Sequence, residues 1–258
     1  MDQAPAGFVA LPSSDLPGAG PTTRVFSVAR AGDEPRGEAV CKRLGPRALG
    51  EPSMRERLVA EGRLLAALGG RAAPRLVASG EDALGPWIVM ERVDLPALAS
   101  RHAGHDAEWL AKAAEAAFDA LATVHAAGVV HGDVSPANVL VSADGTRAVL
   151  VDFGLALAPS MPSLPAGPFR GTLLYAAPEV ARGEPFDGRA DLFAMAASLL
   201  HVWSGEAPRA EATDAAMLVA AGDHGLEAWA RRAAVGLAPD LARTLVMRCS
   251  FDANDRLA

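Results

Sequence analysis

Short runs in which apolar and β-branched residues cluster, Arg24 to Ala29, Glu38 to Arg43, Leu76 to Gly80 and Trp87 to Arg92, break the polar stretches of the first part and read as four strands. The last two are separated by the turn-rich stretch Glu81 to Pro86. Between the two strand pairs, leucines and alanines recur at helical spacing from Ser53 to Leu68. From Asp106 onward the helical period dominates: Ala107 to Ala127, Arg189 to Ser204, and segments within Asp214 to Val235 and Pro239 to Cys249. A strand-like pair, Val139 to Val141 and Ala148 to Val151, interrupts them and is joined by the turn signal Ala143-Asp144-Gly145. Segment 152–179 is rich in Pro, Ser and Gly and has no period, so it reads as a long ordered or switchable loop. The pattern predicts an α+β chain with a small β-rich part followed by a larger, mainly helical one.

Composition narrows the partners. The 258 residues are 50% hydrophobic and 21% charged, which is the balance of a folded globular chain. A formal net charge of −7 repels a phosphate backbone, and no basic run compensates, so nucleic acid is excluded as a partner. Cys41 and Cys249 stand alone and read as reduced thiols in a cytoplasmic protein. Met1 to Asp15 lacks the basic start and apolar core of a secretion signal. The longest apolar stretch, Leu192 to Trp203, contains His201 and is too short to cross a bilayer, so no membrane segment is expected.

The chemistry concentrates late in the chain. His131-Gly132-Asp133-Val134-Ser135-Pro136-Ala137-Asn138 precedes Asp152-Phe153-Gly154, and Ala177-Pro178-Glu179 follows. The spacing puts Asp133 and Asn138 on one loop and Asp152 just after a hairpin. Such a layout lets one carboxylate orient a hydroxyl nucleophile while an amide and a second carboxylate ligate Mg²⁺ on a row of phosphates. Taken singly, Asp133 and Asp152 are ordinary loop and turn residues; the three motifs together and in order argue otherwise. The set resembles the eukaryotic-like serine/threonine protein kinase family.

That resemblance implies a bilobal protein-kinase-like fold, with an N-lobe over 1–90, a hinge at 91–93 and a C-lobe over 94–258. It implies transfer of the γ-phosphoryl of MgATP, with Mn²⁺ as an alternative ion, to Ser or Thr hydroxyls of protein substrates, and autophosphorylation. Asp133 is then the catalytic base, and Asn138 and Asp152 the metal ligands. Ala39-Val40-Cys41-Lys42 resembles the strand with the ATP-binding lysine, paired to Glu61 in the predicted helix; the neighbouring Arg43 competes for the role. Gly18-Ala19-Gly20-Pro21-Thr22-Thr23-Arg24-Val25 resembles the glycine-rich loop, with Thr23 for the third glycine and Pro21 lacking an N–H, which loosens the grip on phosphate. Trp87 to Val93 looks like the segment joining the lobes, with Met90 as gatekeeper. Glu91 C=O and Val93 N–H would meet the adenine edge, and Val25, Val40 and Leu140 would sandwich the ring. Gly171-Thr172 and Tyr175 resemble the substrate-positioning loop, with Thr172 bonded near Asp133. Asp191 is expected on the backbone of the catalytic loop, Arg256 on Glu179, and His131 under Phe153.

Several positions depart from the family pattern. Gly132 stands where regulated kinases carry arginine, so phosphorylation of Ser160, Ser163 or Thr172 is not expected to be required. Ser135 replaces a lysine beside the transferring group, a loss of about 10²-fold or more in rate by analogy with other electrostatic stabilisers. Two rivals remain at this level: a pseudokinase that binds nucleotide or a partner, supported by Pro21, Thr23 and Ser135, and a small-molecule phosphotransferase. Aminoglycoside and choline kinases share the His131-Gly132-Asp133 type of loop, but Thr172 and the Ala-Pro-Glu motif weigh against them. His102 and His105 lack further ligands for a metal, and His125, His201 and His224 form no readable constellation. Little chain follows Arg256, so either the family's last helix is missing or the sequence is a piece of a longer protein. Substrate identity, upstream signal and oligomeric state are left open.

Overall fold

The four predicted strands, with a short one before them, pair as an antiparallel sheet in the order β1-β2-β3-β5-β4, built from β1 (Phe8–Ala10), β2 (Thr23–Arg30), β3 (Ala39–Leu44), β4 (Leu76–Asp82) and β5 (Gly85–Glu91). The computed structural model describes residues 3–11, 22–32, 39–101, 106–162 and 169–256; Gly18, Gly20, Pro21, Glu38, His102, His105 and Ser163 lie outside them. The chain divides into two units, Met1–Asp94 with Ala158–Pro165, and Leu95–Leu157 with Ala166–Ala258. Residues 91–93 thus group with the first unit, as does a piece of the long loop.

Register decides which residues share a face in the first unit. Phe26 pairs with Cys41 and Cys41 with Val89, and these form one buried cluster with Val28 and Ala39. Alternation sends Val25, Val40, Lys42, Ile88 and Met90 to the other face. Against the sheet packs α1 (Pro52–Leu68), which starts with Pro52 in its first turn and ends on Gly69 in the left-handed region (φ 61°). A Cβ on Gly62 would lie 2.9 Å from Ile88 Cγ2, so glycine at this position lets the helix approach β5 closely. β1 was not anticipated, because three residues are too few to display a period.

In the second unit α2 (Ala107–Ala126) begins at Asp106, whose side chain accepts from Trp109 N at 2.9 Å. The hairpin of β6 (Val139–Val141) and β7 (Ala148–Leu150) follows. Then come α3 (Pro178–Ala181), α4 (Gly188–Ser204), α5 (Asp214–Asp223), α6 (Glu227–Ala233) and α7 (Pro239–Arg248). The apolar run at 192–203 is explained by α4, which is buried on nearly all sides and packs against α2, α6 and α7. Among the described residues no helix is long and apolar enough to cross a membrane.

Candidate active site

In the first unit, Lys42 Nζ donates to Glu61 Oε1 at 2.7 Å and to Oε2 at 2.9 Å, both side chains being buried. Strand parity removes the rival cation. Arg43 sits on the opposite face, where it donates to the Gln3 carbonyl and to Asp82. Val25 and Ile88 flank Lys42 in register, and Val40 pairs with Met90. Val25, Val40 and Met90 are half-buried, whereas Phe26, Cys41 and Val89 on the core face are buried. An apolar, partly open surface with one paired ammonium is thus built into this sheet. Glu91 ends β5, its N–H bonded to Arg75 O at 2.8 Å, and Val93 lies just beyond, half-buried. Arg57 of α1, also buried, donates to the Pro162 carbonyl.

The second unit gathers Asp133, Asn138 and Thr172. Asp133 Oδ1 accepts from Thr172 N at 2.9 Å and from Thr172 Oγ1 at 3.0 Å. Asn138 Nδ2 donates to Asp133 O at 2.8 Å and to Oδ2 at 3.2 Å. Burial pushes the Asp133 carboxyl above its ordinary range; the Thr172 hydrogen bonds pull it back in part, and the charge of Asp152 raises it further. Gly171 permits the close approach: its φ is 106°, and a Cβ there would be 3.2 Å from Asp133 Oδ1.

The loop backbone is held from below by α4. Asp191, buried, accepts from His131 N at 2.8 Å through Oδ2 and from Gly132 N at 2.9 Å through Oδ1. His131 Nε2 bonds the Val151 carbonyl at 3.0 Å, so it carries the proton, and Nδ1 accepts from Asp133 N at 3.3 Å. Its ring lies 4.8 Å from that of Phe153. Asp152 itself occupies the left-handed region (φ 63°), where a non-glycine residue costs on the order of 1–3 kcal/mol. Such strain belongs to functional positions. The bridge between Val130 and Leu157 and the Gly154 N–H on Asp152 Oδ1 at 3.3 Å hold it. Leu140 in β6 is half-buried and bridges to Ala97.

A hard divalent ion suits part of this set. With Nδ2 turned to Asp133, Asn138 has Oδ1 as its acceptor, and Asp152 brings a carboxylate. Magnesium takes one or two protein oxygens with phosphates and water rather than a full protein cage. Among the described residues no group of three His, Cys, Asp or Glu could hold a metal.

Three residues escaped the sequence reading. His125 Nε2 meets Asp191 Oδ2 at 2.8 Å, and Tyr175 OH meets His201 Nδ1 at 2.7 Å. Arg209, buried, donates to the carbonyls of Leu173, Leu174 and Ala176 at 3.2, 2.8 and 2.9 Å and so fixes the turn after Thr172. Left-handed backbone occurs at Gly132, next to Asp133, and at Gly171, next to Thr172.

The family described as protein kinase domain matches residues 16–237. The chain is 38% identical over 223 residues to the serine/threonine-protein kinase PknJ of Mycobacterium tuberculosis, covering 80% of this chain and 36% of that protein. It is 30% identical over 171 residues to the serine/threonine-protein kinase PknL of the same organism, covering 65% of this chain and 43% of that one. It therefore spans less than half the length of these curated relatives. Among solved structures it matches the PknI kinase domain of Mycobacterium tuberculosis, crystallised as a single-substitution mutant. The TM-score is 0.61 at 27% identity, over 98% of this chain and 90% of that one.

Proposed function

The chain belongs to the protein kinase family, and from that premise we propose that it transfers the γ-phosphoryl group of ATP to serine or threonine hydroxyls of protein substrates, its own included. The observation that carries this reading is the Asp133 carboxylate, fixed on one oxygen by Thr172 and on the other by Asn138. Asp133 accepts the hydrogen bond of the incoming hydroxyl, aims its oxygen in line with the leaving group, and takes its proton. Its raised pKa makes it a better base than a solvated aspartate. Lys42, steadied by Glu61, meets the α- and β-phosphates. Val25, Val40 and Met90 of the first unit receive the adenine, whose edge is read by the Glu91 carbonyl and the Val93 N–H.

Asn138 and Asp152 would hold Mg²⁺, or Mn²⁺ in its place, which would supply positive charge to offset that of the phosphates. Ser135 brings no cation to the transferring group, so turnover is slow, by about 10²-fold against a kinase that has one. We place the domain in the cytoplasm, where ATP is supplied and the thiols of Cys41 and Cys249, which form no disulfide, stay reduced.

The test is transfer of labelled phosphate from MgATP to a generic protein substrate and to the chain itself, beside Asp133→Asn and Asp152→Ala. Label that appears with the wild type and disappears in both variants supports the proposal. Nucleotide binding without transfer, or turnover only when a metabolite is added, would replace it.

A further inference from the structure

One cavity of the second unit, about 210 Å³, is lined in part by Pro136, three residues along the loop from the proposed base, and has no part in the proposed phosphoryl transfer. Its wall joins Arg101, Pro136 of the catalytic loop, Tyr175, and His201 with Val202 at the C-terminal end of α4. Two of these are tied to Asp133. Pro136 lies on the loop between Asp133 and Asn138, and Tyr175 closes the turn that starts at Thr172, which is bonded to Asp133 Oδ1. We infer that this cavity receives an anionic side chain of the protein substrate, flanking the phosphoacceptor, with Arg101 and His201 as the residues that select it. The inference rests on the kinase reading above and names its substrate class.

The charge and donor arrangement carry it. In a chain of net charge −7, none of the described residues lining this cavity is acidic. Arg101 is held flat against Trp109, its guanidinium carbon 4.1 Å from the ring centroid, and donates one bond, Nη2 to Ala143 O at 2.6 Å. A guanidinium carries five N–H donors, so the fork retains donors for a carboxylate or phosphoryl group. Tyr175 OH and His201 Nδ1 share a hydrogen bond of 2.7 Å; in the tautomer with the hydroxyl as donor, His201 Nε2 carries the proton and is a second donor. Burial supports this neutral pairing by pushing the phenol up to about 12 and the imidazole below its usual range. The carbonyl end of α4 opposes an anion with about half an elementary charge, against the full charge of Arg101. Pro136, Ala99 and Val202 supply apolar walls for the stem of the incoming residue.

The experiment uses serine peptides carrying Glu, phosphoserine, Ala or Arg at each flanking position, with MgATP and the wild type, Arg101→Glu or His201→Gln; thermal melts check that each variant is folded. The wild type is expected to favour Glu or phosphoserine over Ala at one flanking position by about tenfold in kcat/KM, mainly through KM, as for a charge contact. Which anion is favoured tells a carboxylate from a phosphorylated residue as the natural occupant. Arg101→Glu should turn the preference at that same position toward Arg while retaining turnover of the Ala peptide, and His201→Gln should weaken it. A wild type indifferent to charge, or a preference for anions unchanged in Arg101→Glu, overturns the inference and leaves the kinase reading intact. If no peptide is labelled at all, both fall.

Discussion

Asp133 is half-buried, at a cost to the fold. Its carboxyl lies above the ordinary value of 3.8, chiefly because burial disfavours the charged form. With the folded value raised, the stability this group contributes is fully present below the ordinary value and is lost as pH rises through the folded one. At neutral pH the ionised group therefore weakens the fold. Asp133→Asn keeps an oxygen for Thr172 and removes the charge, so it should melt no lower than the wild type at pH 7.5. Transfer should fall by about 10²- to 10⁴-fold, the usual share of a general base. The advantage in melting temperature should vanish as pH is lowered toward 4, and the acid limb of kcat/KM should lie above the value of a solvated aspartate. Melting scans and a pH–rate profile read both; an Asn variant that melts well below wild type at pH 7.5 contradicts the assignment.

Elements meet the proposed site through a few buried charges. Asp191 of α4 satisfies two backbone N–H groups of the catalytic loop, so Asp191→Ala leaves both without a partner at about 1–3 kcal/mol each. Asp191→Asn retains one acceptor and should lose about half as much. Urea unfolding of the two variants separates these costs from activity. The pair between Arg256 and Glu179 of α3 is of the same kind, with Nη1 to Oε1 at 2.6 Å and the arginine side chain fully buried. Removing one partner strands the other charge, so Arg256→Ala should cost about 3–5 kcal/mol, whereas replacing both by apolar residues should cost less. A double-mutant cycle in urea measures the difference. The pair is a structural clamp, and its loss is expected to lower the folded fraction before it touches the chemistry.

For the whole molecule the consequence concerns regulation. A Cβ on Gly132 would stand 2.7 Å from the Leu155 carbonyl and its φ is 76°, so an arginine cannot be accommodated there without a shift of backbone. The turn at Thr172 is held without phosphate, by Asp133 and by Arg209 on three carbonyls. A phosphate on Thr172 would set a dianion against Asp133 Oδ1, 3.0 Å from the hydroxyl it replaces. Protein treated with phosphatase should therefore turn over substrate as fast as untreated protein; a loss of turnover on treatment refutes this.

The strands were legible as short apolar and β-branched runs and the helices in the hydrophobic period; so was the order Lys42, Glu61, Asp133, Asn138, Asp152, Glu61 from its place in the predicted helix and the others from short local motifs whose residue types are the signal. Even the choice of Lys42 over Arg43 follows from alternation once the strand is paired. The sequence was silent on His125, His201 and Arg209, on the left-handed backbone of Asp152, and on the cavity beside Pro136. These depend on contacts between residues tens of positions apart, such as Asp191 with His125, and no local period records which distant groups a fold brings within hydrogen-bond reach. Local chemistry was thus written in the chain, whereas the partners that orient it were chosen by packing.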